Sequence, residues 1–249
     1  MQVSHLWYIL HMKIHRFYMP HIDILEENTI VTYEIDLIHQ LKNVFRYKTG
    51  QVIHIFNEEK GELEVELASI DKKQMSFKYI RQIKTPDSQN DTRKVSLYMS
   101  IIKNSNFDLI IEKAVELGVS QVIPVVSERT IKNNLNYERL RKIIKEATEQ
   151  SGRVELMKIE ETVDLKTGIE AAKNHSEMVY FGSVIENEAF TYKTGESYKV
   201  VGIFIGPEGG YSDQETVLFI KEGIHPIRLG NHVLRAETAA IVACGLLSL

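Results

Sequence analysis

The chain has 249 residues, 30 Lys+Arg against 34 Asp+Glu for a formal net charge of −4, 43% hydrophobic and 26% charged residues, and one cysteine. This describes a globular protein with one large core or two smaller ones, and it excludes a disulfide framework, a Cys-rich zinc site and collagen-like or broadly disordered character. No apolar run reaches the roughly 18 residues that a bilayer crossing needs, and a mildly acidic chain must hold any nucleic acid by a local patch.

In chain order, residues 1–11 (MQVSHLWYILH) come first. Their apolar centre, Leu6–Leu10, is too short for a signal h-region and lacks a basic n-region and a cleavage site. Met12 then opens MKIHRFYMP, so 1–11 reads as an extension, with a short packed strand as the alternative. Residues 12–83 read as strands with one helix. Asp36–Arg46 places Leu37, Ile38, Leu41, Val44 and Phe45 on one helical face. Gln51–Phe56 is β-rich and Asn57–Gly61 is turn chemistry. Glu62–Leu67 alternates strictly, which turns Leu63, Val65 and Leu67 to a core and the glutamates to water. Another strand follows near Met75–Ile80, and several short strands at this spacing predict a small barrel. Residues 84–93 (KTPDSQNDTR) lose all periodicity and read as the linker.

From residue 94 to 249 the pattern is α/β. Val95–Ile102, Gln121–Val126, Met178–Phe181 and Val200–Ile205 are apolar strands, and Phe107–Leu117 and Tyr137–Gln150 have helical spacing. Strands buried on both faces and alternating with helices predict a mostly parallel sheet. Charge does not segregate, because residues 1–83 carry net −1 and the remainder −3.

The last fifty residues carry the functional signal. A strand ending at Gly206 runs into Pro207-Glu-Gly-Gly-Tyr211, and Ser212 with Glu215 forms a capping box that opens a helix. Glycines at 206, 209 and 210 clear side chains from a place that something approaches closely. No GxxxxGK[ST] or GxGxxG string is present, and Pro207 and Glu208 suit a phosphate cradle poorly. A tight turn is the competing account of the glycines. His225–Gly230 is a short strand, Asn231–Thr238 is a loop with both charge signs, and Ala239–Leu247 is an apolar helix that must be buried on most sides, against the sheet and a second subunit. Arg235 and Glu237 sit at its mouth, where they require partners or a ligand. A structural Arg–Glu pair is the plainer alternative.

FIGPEGGYSDQE and IRLGNHVLRAETAAIVACGLL resemble the two signature loops of the RsmE-type ribosomal RNA uridine-N3 methyltransferases of the SPOUT (trefoil-knot) superfamily. Ile111-Glu-Lys-Ala-Val-Glu-Leu-Gly-Val119 with Ile123-Pro and Ser127–Thr130, Glu146–Arg153, His15-Arg-Phe17, and His39, Arg46 and Gly50 are similar to further parts of that pattern. The resemblance spans residues 12–249 in order. It implies a PUA-like RNA-binding barrel followed by an α/β-knot methyltransferase domain, a cytoplasmic homodimer, the cofactor S-adenosylmethionine, and as substrate one uridine of 16S rRNA in the small ribosomal subunit. It implies no metal and no membrane.

On that reading Phe181, Ile205, Gly206, Pro207, Gly209, Leu229, Gly230, Leu234, Thr238 and Ala239 hold the cofactor. Apolar walls and close main-chain groups suit adenine, and a phosphate-free ligand needs no lysine-bearing loop. An acidic residue is expected just after the Met178–Phe181 strand. Tyr180–Ser183 lacks one, and Glu186 is the displaced candidate. Arg235 stabilises the developing uracilate oxygens and Glu237 orients Arg235 or accepts a proton, while a specific base is left open. His15, Arg16, Arg46, Arg129, Gln150 and Arg153 face RNA. The densest basic stretch is Arg129, Lys132, Arg139, Arg141, Lys142 and Lys145, most of it a solvated helix face. A non-catalytic RNA-binding module, using the knot only to dimerise, is the alternative function.

Overall fold

The computed structural model describes residues 14–86, 93–131, 134–183 and 198–248. The expected extension, most of the expected linker, Lys132 and Glu186 lie outside them. The chain divides into two compact units near residue 90.

The first unit is a five-stranded sheet in the order β1-β3-β4-β5-β2, with β1 Arg16–Tyr18, β2 Thr29–Thr32, β3 Val52–Asn57, β4 Gly61–Ile70 and β5 Met75–Lys84. Only the β1–β3 pair is parallel. The sheet is open rather than a closed barrel, because the three-residue β1 and four-residue β2 each pair with one neighbour and not with each other. Phe17, Ile53, Ile55, Leu63, Val65 and Phe77 form its core with Leu37, Ile38 and Leu41. The expected helix begins as α1, Ile35–His39, but passes into a π turn over Gln40–Val44. The wider turn rotates the later positions away from the core. Val44 and Phe45, expected inside, are 62% and 39% exposed.

The glutamates of β4 also depart from the alternating pattern. Glu62 and Glu64 are buried rather than facing water. Their partners explain it. Arg16 Nε donates to Glu62 at 2.9 Å, His54 Nδ1 lies 2.7 Å from the same carboxylate, and Arg81 Nε donates to Glu64 at 2.9 Å. Burial alone would raise the Glu62 pKa. Hydrogen bonds from His54 and Arg16 and the charges of Arg16 and Lys84 outweigh it and bring the value from 4.5 down to about 2. A depressed folded-state pKa stabilises the fold above the unfolded value and is lost as pH falls through the folded one. The contribution is on the order of 3 kcal/mol, lost between about pH 4.5 and 2. Glu62→Gln is therefore expected to flatten the acid limb of this unit's stability in that window, read from urea midpoints against pH. An unchanged limb would show that other carboxylates govern it.

The second unit is a parallel sheet in the order β12-β10-β11-β6-β7-β8, with β9 also paired to β7. Its strands are β6 Lys94–Ser100, β7 Gln121–Val126, β8 Lys158–Ile159, β9 Val163–Asp164, β10 Met178–Gly182, β11 Val200–Ile205 and β12 His225–Ile227. Alternate residues serve two cores. Leu97, Met99, Ile203 and Ile205 face one side with α2 (Asn104–Glu116), α3 (Tyr137–Ser151) and α6 (Ala236–Leu247). Tyr98, Phe181, Phe204 and Phe219 face the other, with α4 (Leu165–His175) and α5 (Asp213–Lys221), and Tyr98 stacks on Phe204 at 4.5 Å. The caps follow the sequence. The Asn136 side chain accepts from Arg139 N and Asp164 from Thr167 N, and Ser212 with Glu215 completes the expected capping box. From the edge strand β12 the chain returns to pack α6 on β11, β6 and α2.

Candidate functional site: a glycine-walled cavity at the sheet's C-terminal edge

In parallel sheets, ligands bind beyond the carboxyl ends of the strands where the strand order reverses. Here β10, β11 and β12 end together, since Gly182 pairs with Ile227 and Phe181 with Phe204. A cavity of about 900 Å³ opens at those ends, walled by residues 181–183, 205–211 and 228–237.

Close backbone approach shapes this wall. A Cβ on Gly182 would lie 3.1 Å from Ile205 Cδ1 and 3.4 Å from Leu229 Cδ1. One on Gly206 would lie 3.3 Å from the Tyr211 ring, which sits edge-on against Phe219 at 4.8 Å. Tyr211 thus props the 206–211 turn from behind, and burial drives its phenol pKa far up. Gly210 takes the left-handed backbone its turn requires, at φ +67°.

Phe181, Ile205, Gly206, Pro207, Gly209, Leu229, Gly230, Leu234 and Ala239 all line the cavity. Phe181 does so while its ring stacks on Phe219 at 4.7 Å. Thr238 is exposed on α6 and is not part of the wall. Arg235 and Glu237 also line the cavity, Arg235 as the N-cap residue of α6 and Glu237 in its first turn. Neither makes an ion pair among the described residues, so the plainer Arg–Glu brace is not formed. Arg129 lines the same cavity, and its Nη1 donates to Gly209 O at 2.7 Å. Sequence reasoning missed Arg228, His232 and Asp213, which line the mouth as well. No lysine lines it.

The other expected RNA contacts lie elsewhere. His15 Nδ1 is 2.7 Å from Tyr47 Oη and its ring packs on Phe45 at 4.7 Å, so it belongs to an aromatic cluster of the first unit. Arg16 lies over the Phe56 ring at 4.4 Å and on Glu62. Arg46 is exposed with φ +57°. In the second unit, Gln150 is exposed near the end of α3. Arg153 turns inward, donating to Val115 O at 3.3 Å in the last turn of α2 and to Val119 O at 2.6 Å just beyond it, and burial lowers its pKa. Of the basic stretch, Arg139 pairs with Asp108 at 2.8 Å. Cys244 is buried, its thiol pushed up to about 12, and is inert. No group of three His, Cys, Asp or Glu residues able to hold a metal exists among the described residues, and no described helix is long and apolar enough to cross a membrane.

The family model for the RNA methyltransferase domain matches residues 88–248, well over half the chain, which makes the class RNA methyltransferase. Ribosomal RNA small subunit methyltransferase E of Rickettsia conorii is 32% identical over 236 residues, covering 93% of this chain and 94% of that protein. The chain belongs to the ribosomal RNA small subunit methyltransferase E family. Among solved structures, the Neisseria gonorrhoeae ribosomal RNA small subunit methyltransferase E bound to S-adenosyl methionine matches with a TM-score of 0.79 and 25% identity, over 93% of this chain and 95% of that one. A Legionella pneumophila protein in complex with the bound cofactor SAM matches with a TM-score of 0.81 and 26% identity, over 95% and 97%.

Proposed function

We propose that this chain methylates N3 of one uridine in the 16S rRNA of the small ribosomal subunit, with S-adenosylmethionine as donor, as a cytoplasmic homodimer. The observation that carries this is the cavity at the strand ends whose wall is brought close by Gly182, Gly206 and Gly209. Its apolar surface, close main-chain groups and carboxylates fit a ligand with an apolar ring and a positive centre. Ile205, Leu229 and Leu234 supply apolar surface, main-chain groups of 206–209 and 230 supply hydrogen bonds, and Glu208, Asp213 and Glu237 supply negative charge. When bound, the cofactor provides an electrophilic methyl on a sulfonium. The chain's residues do the rest. The cavity orients the acceptor nitrogen, Arg235 offers donors to the uracil oxygens as negative charge develops, and Glu237, two residues on in the first turn of α6, orients Arg235 or takes the N3 proton.

Family membership and the return of α6 from the edge strand support the SPOUT knot reading of the second unit. The five-stranded sheet with α1 supports a PUA-like reading of the first. RNA contact is assigned to Arg46, Arg129 and Gln150, with His15 and Arg16 at the sheet's edge strand. Arg153, held on the Val115 and Val119 carbonyls, is the inward member of that set. The dimer reading rests on α6. Ala240, Ala243, Cys244 and Leu247 are buried in this protomer, whereas Ile241, Val242, Gly245 and Leu246 remain half-exposed beside Thr238. An apolar stripe on an otherwise packed helix is self-complementary about a two-fold axis.

The deciding experiment is mass mapping of modified nucleosides in small-subunit rRNA from a deletion strain. N3-methyluridine should vanish and return on complementation, and the purified protein should sediment at twice the 28.6 kDa protomer mass. Persistence of the modified base, with no binding heat at millimolar S-adenosylmethionine, would leave the non-catalytic RNA-binding module.

A further inference from the structure

The Glu215 carboxylate does more than cap a helix. It is buried, and its two oxygens serve two different loops. Oε2 accepts the Ser212 amide at 2.9 Å, closing the capping box at the start of α5. Oε1 accepts the amide of Glu128 at 2.8 Å, in the loop after β7. The next residue, Arg129, donates from Nη1 to Gly209 O at 2.7 Å and reaches Tyr211 O at 3.4 Å. Its side chain is exposed at the cavity mouth. The loop after β7 is therefore moored at two adjacent points to the segment that follows β11, the buried one at Glu215 in the first turn of α5 and the surface one at Gly209.

A capping box requires one carboxylate oxygen, so the second is free for another task. The turn it holds is otherwise self-sufficient. Ser127 N donates to Thr130 Oγ1 at 2.9 Å and Thr130 N to Ser127 O at 3.1 Å. Without Glu215 that turn keeps its own hydrogen bonds and loses the buried one of its two moorings. Arg129 is bound to carbonyls and not to a carboxylate among the described residues, so its charge is not neutralised. With Nη1 engaged, Nε and Nη2 remain for an anionic oxygen.

We propose that Glu215 is a positioning residue for RNA binding: by holding the Glu128 amide it presents the Arg129 guanidinium, at the rim of the cofactor loop, to a backbone phosphate of the substrate RNA. This rests on the rRNA-methylation reading above. It gives the cofactor loop and one RNA contact a shared mooring.

The test is a double-mutant cycle on RNA affinity, read by anisotropy of a fluorescent single-stranded 16S rRNA fragment at fixed low salt, with melting temperature and S-adenosylmethionine calorimetry on the same samples. Arg129→Ala should weaken RNA binding about tenfold. Glu215→Ala should weaken it about fivefold, and the double variant should be within about twofold of Arg129→Ala alone. Ser212→Ala removes the cap hydroxyl but keeps the Glu215–Glu128 bond, so it should lower the melting temperature and leave RNA affinity unchanged. Glu215→Gln, which retains an acceptor oxygen, serves if the alanine variant does not fold, and should fall between wild type and Arg129→Ala. Losses that add in full, or an equal RNA defect in Ser212→Ala, overturn the proposal and reduce Glu215 to a helix cap. An additive cycle in an active wild type sinks this inference alone. The predicted cycle in a wild type that binds RNA but never methylates it sinks the functional reading and leaves the inference standing.

Discussion

Arg235→Ala is expected to lower kcat for rRNA methylation by about 10²–10³-fold while leaving cofactor affinity within about twofold of wild type. The magnitude is that of removing one donor aimed at charge that develops only in the transition state. Two features of the residue support the asymmetry. It is exposed at the cavity wall and makes no ion pair among the described residues, so its donors are uncommitted before substrate arrives. Its backbone, not its side chain, does the structural work, since Arg235 O accepts Ala239 N at 2.8 Å as α6 begins. Truncating the side chain leaves that bond in place, and Ala at an N-cap that uses no side-chain hydrogen bond costs little.

The measurement is single-turnover methylation of small-subunit RNA beside calorimetry with the cofactor. Loss in equal proportion in both would mean that Arg235 holds the ligand or braces the loop. Arg235→Lys should recover part of the rate, since a point charge replaces a planar fork. Glu237→Gln discriminates further. If Glu237 only orients Arg235, its effect should disappear in the Arg235→Ala background, whereas a proton acceptor keeps an independent effect.

The second unit was legible because its strands are buried on both faces. Val200–Ile205 and Gln121–Val126 read as continuous apolar runs, and that is how the sheet uses them. The Ser212–Glu215 box was legible because a cap is a local hydrogen-bond pattern. Its second role was not, because the Glu128 amide lies 87 residues away along the chain. The same limit hid the burial of Glu62 and Glu64. Strict alternation turns them to water unless Arg16, His54 and Arg81 come in from three other strands, and only pairing brings those residues together. β8 and β9 have two residues each, too few to show a period, and α4 carries Gly168 within its apolar face. That glycine is useful to the fold: a Cβ there would meet Phe204, Val125 and Val163 at 3.5–3.6 Å. At the site, the loops were visible from their glycines. The convergence of Arg129 and Arg228 on them depends on strand order, which no local pattern encodes.

The largest stability effect is expected at a glycine of the first unit. Gly61 opens β4 after the short turn that follows β3, with φ +72°, and pairs with Asn57. Asn57 locks the turn: its Oδ1 accepts Lys60 N at 2.7 Å and its Nδ2 donates to Pro20 O at 3.1 Å. Gln82 ties β5 to the same place, donating to Lys60 O at 2.7 Å. A Cβ on Gly61 would overlap the carbonyl oxygen of Lys84 and crowd the Thr85 carbonyl carbon. Both neighbours are backbone, so relief requires moving the end of β5 and, with it, Lys84 beside the buried Glu62. Gly50 provides the control in the same unit. Its φ is +87°, yet a Cβ there would meet nothing within 4 Å. Gly50→Ala should therefore cost only left-handed strain, about 1 kcal/mol, whereas Gly61→Ala adds overpacking for a total of roughly 3 kcal/mol or more. In a unit of this size that gap corresponds to about 10 °C in the unfolding transition of the first unit. Hydrogen exchange should localise the loss to β3–β5, and cofactor calorimetry should be unchanged, since every described residue that walls the cavity belongs to the second unit. Equal destabilisation by the two substitutions would show that the Lys84 carbonyl yields freely and that backbone conformation alone reserves residue 61 for glycine.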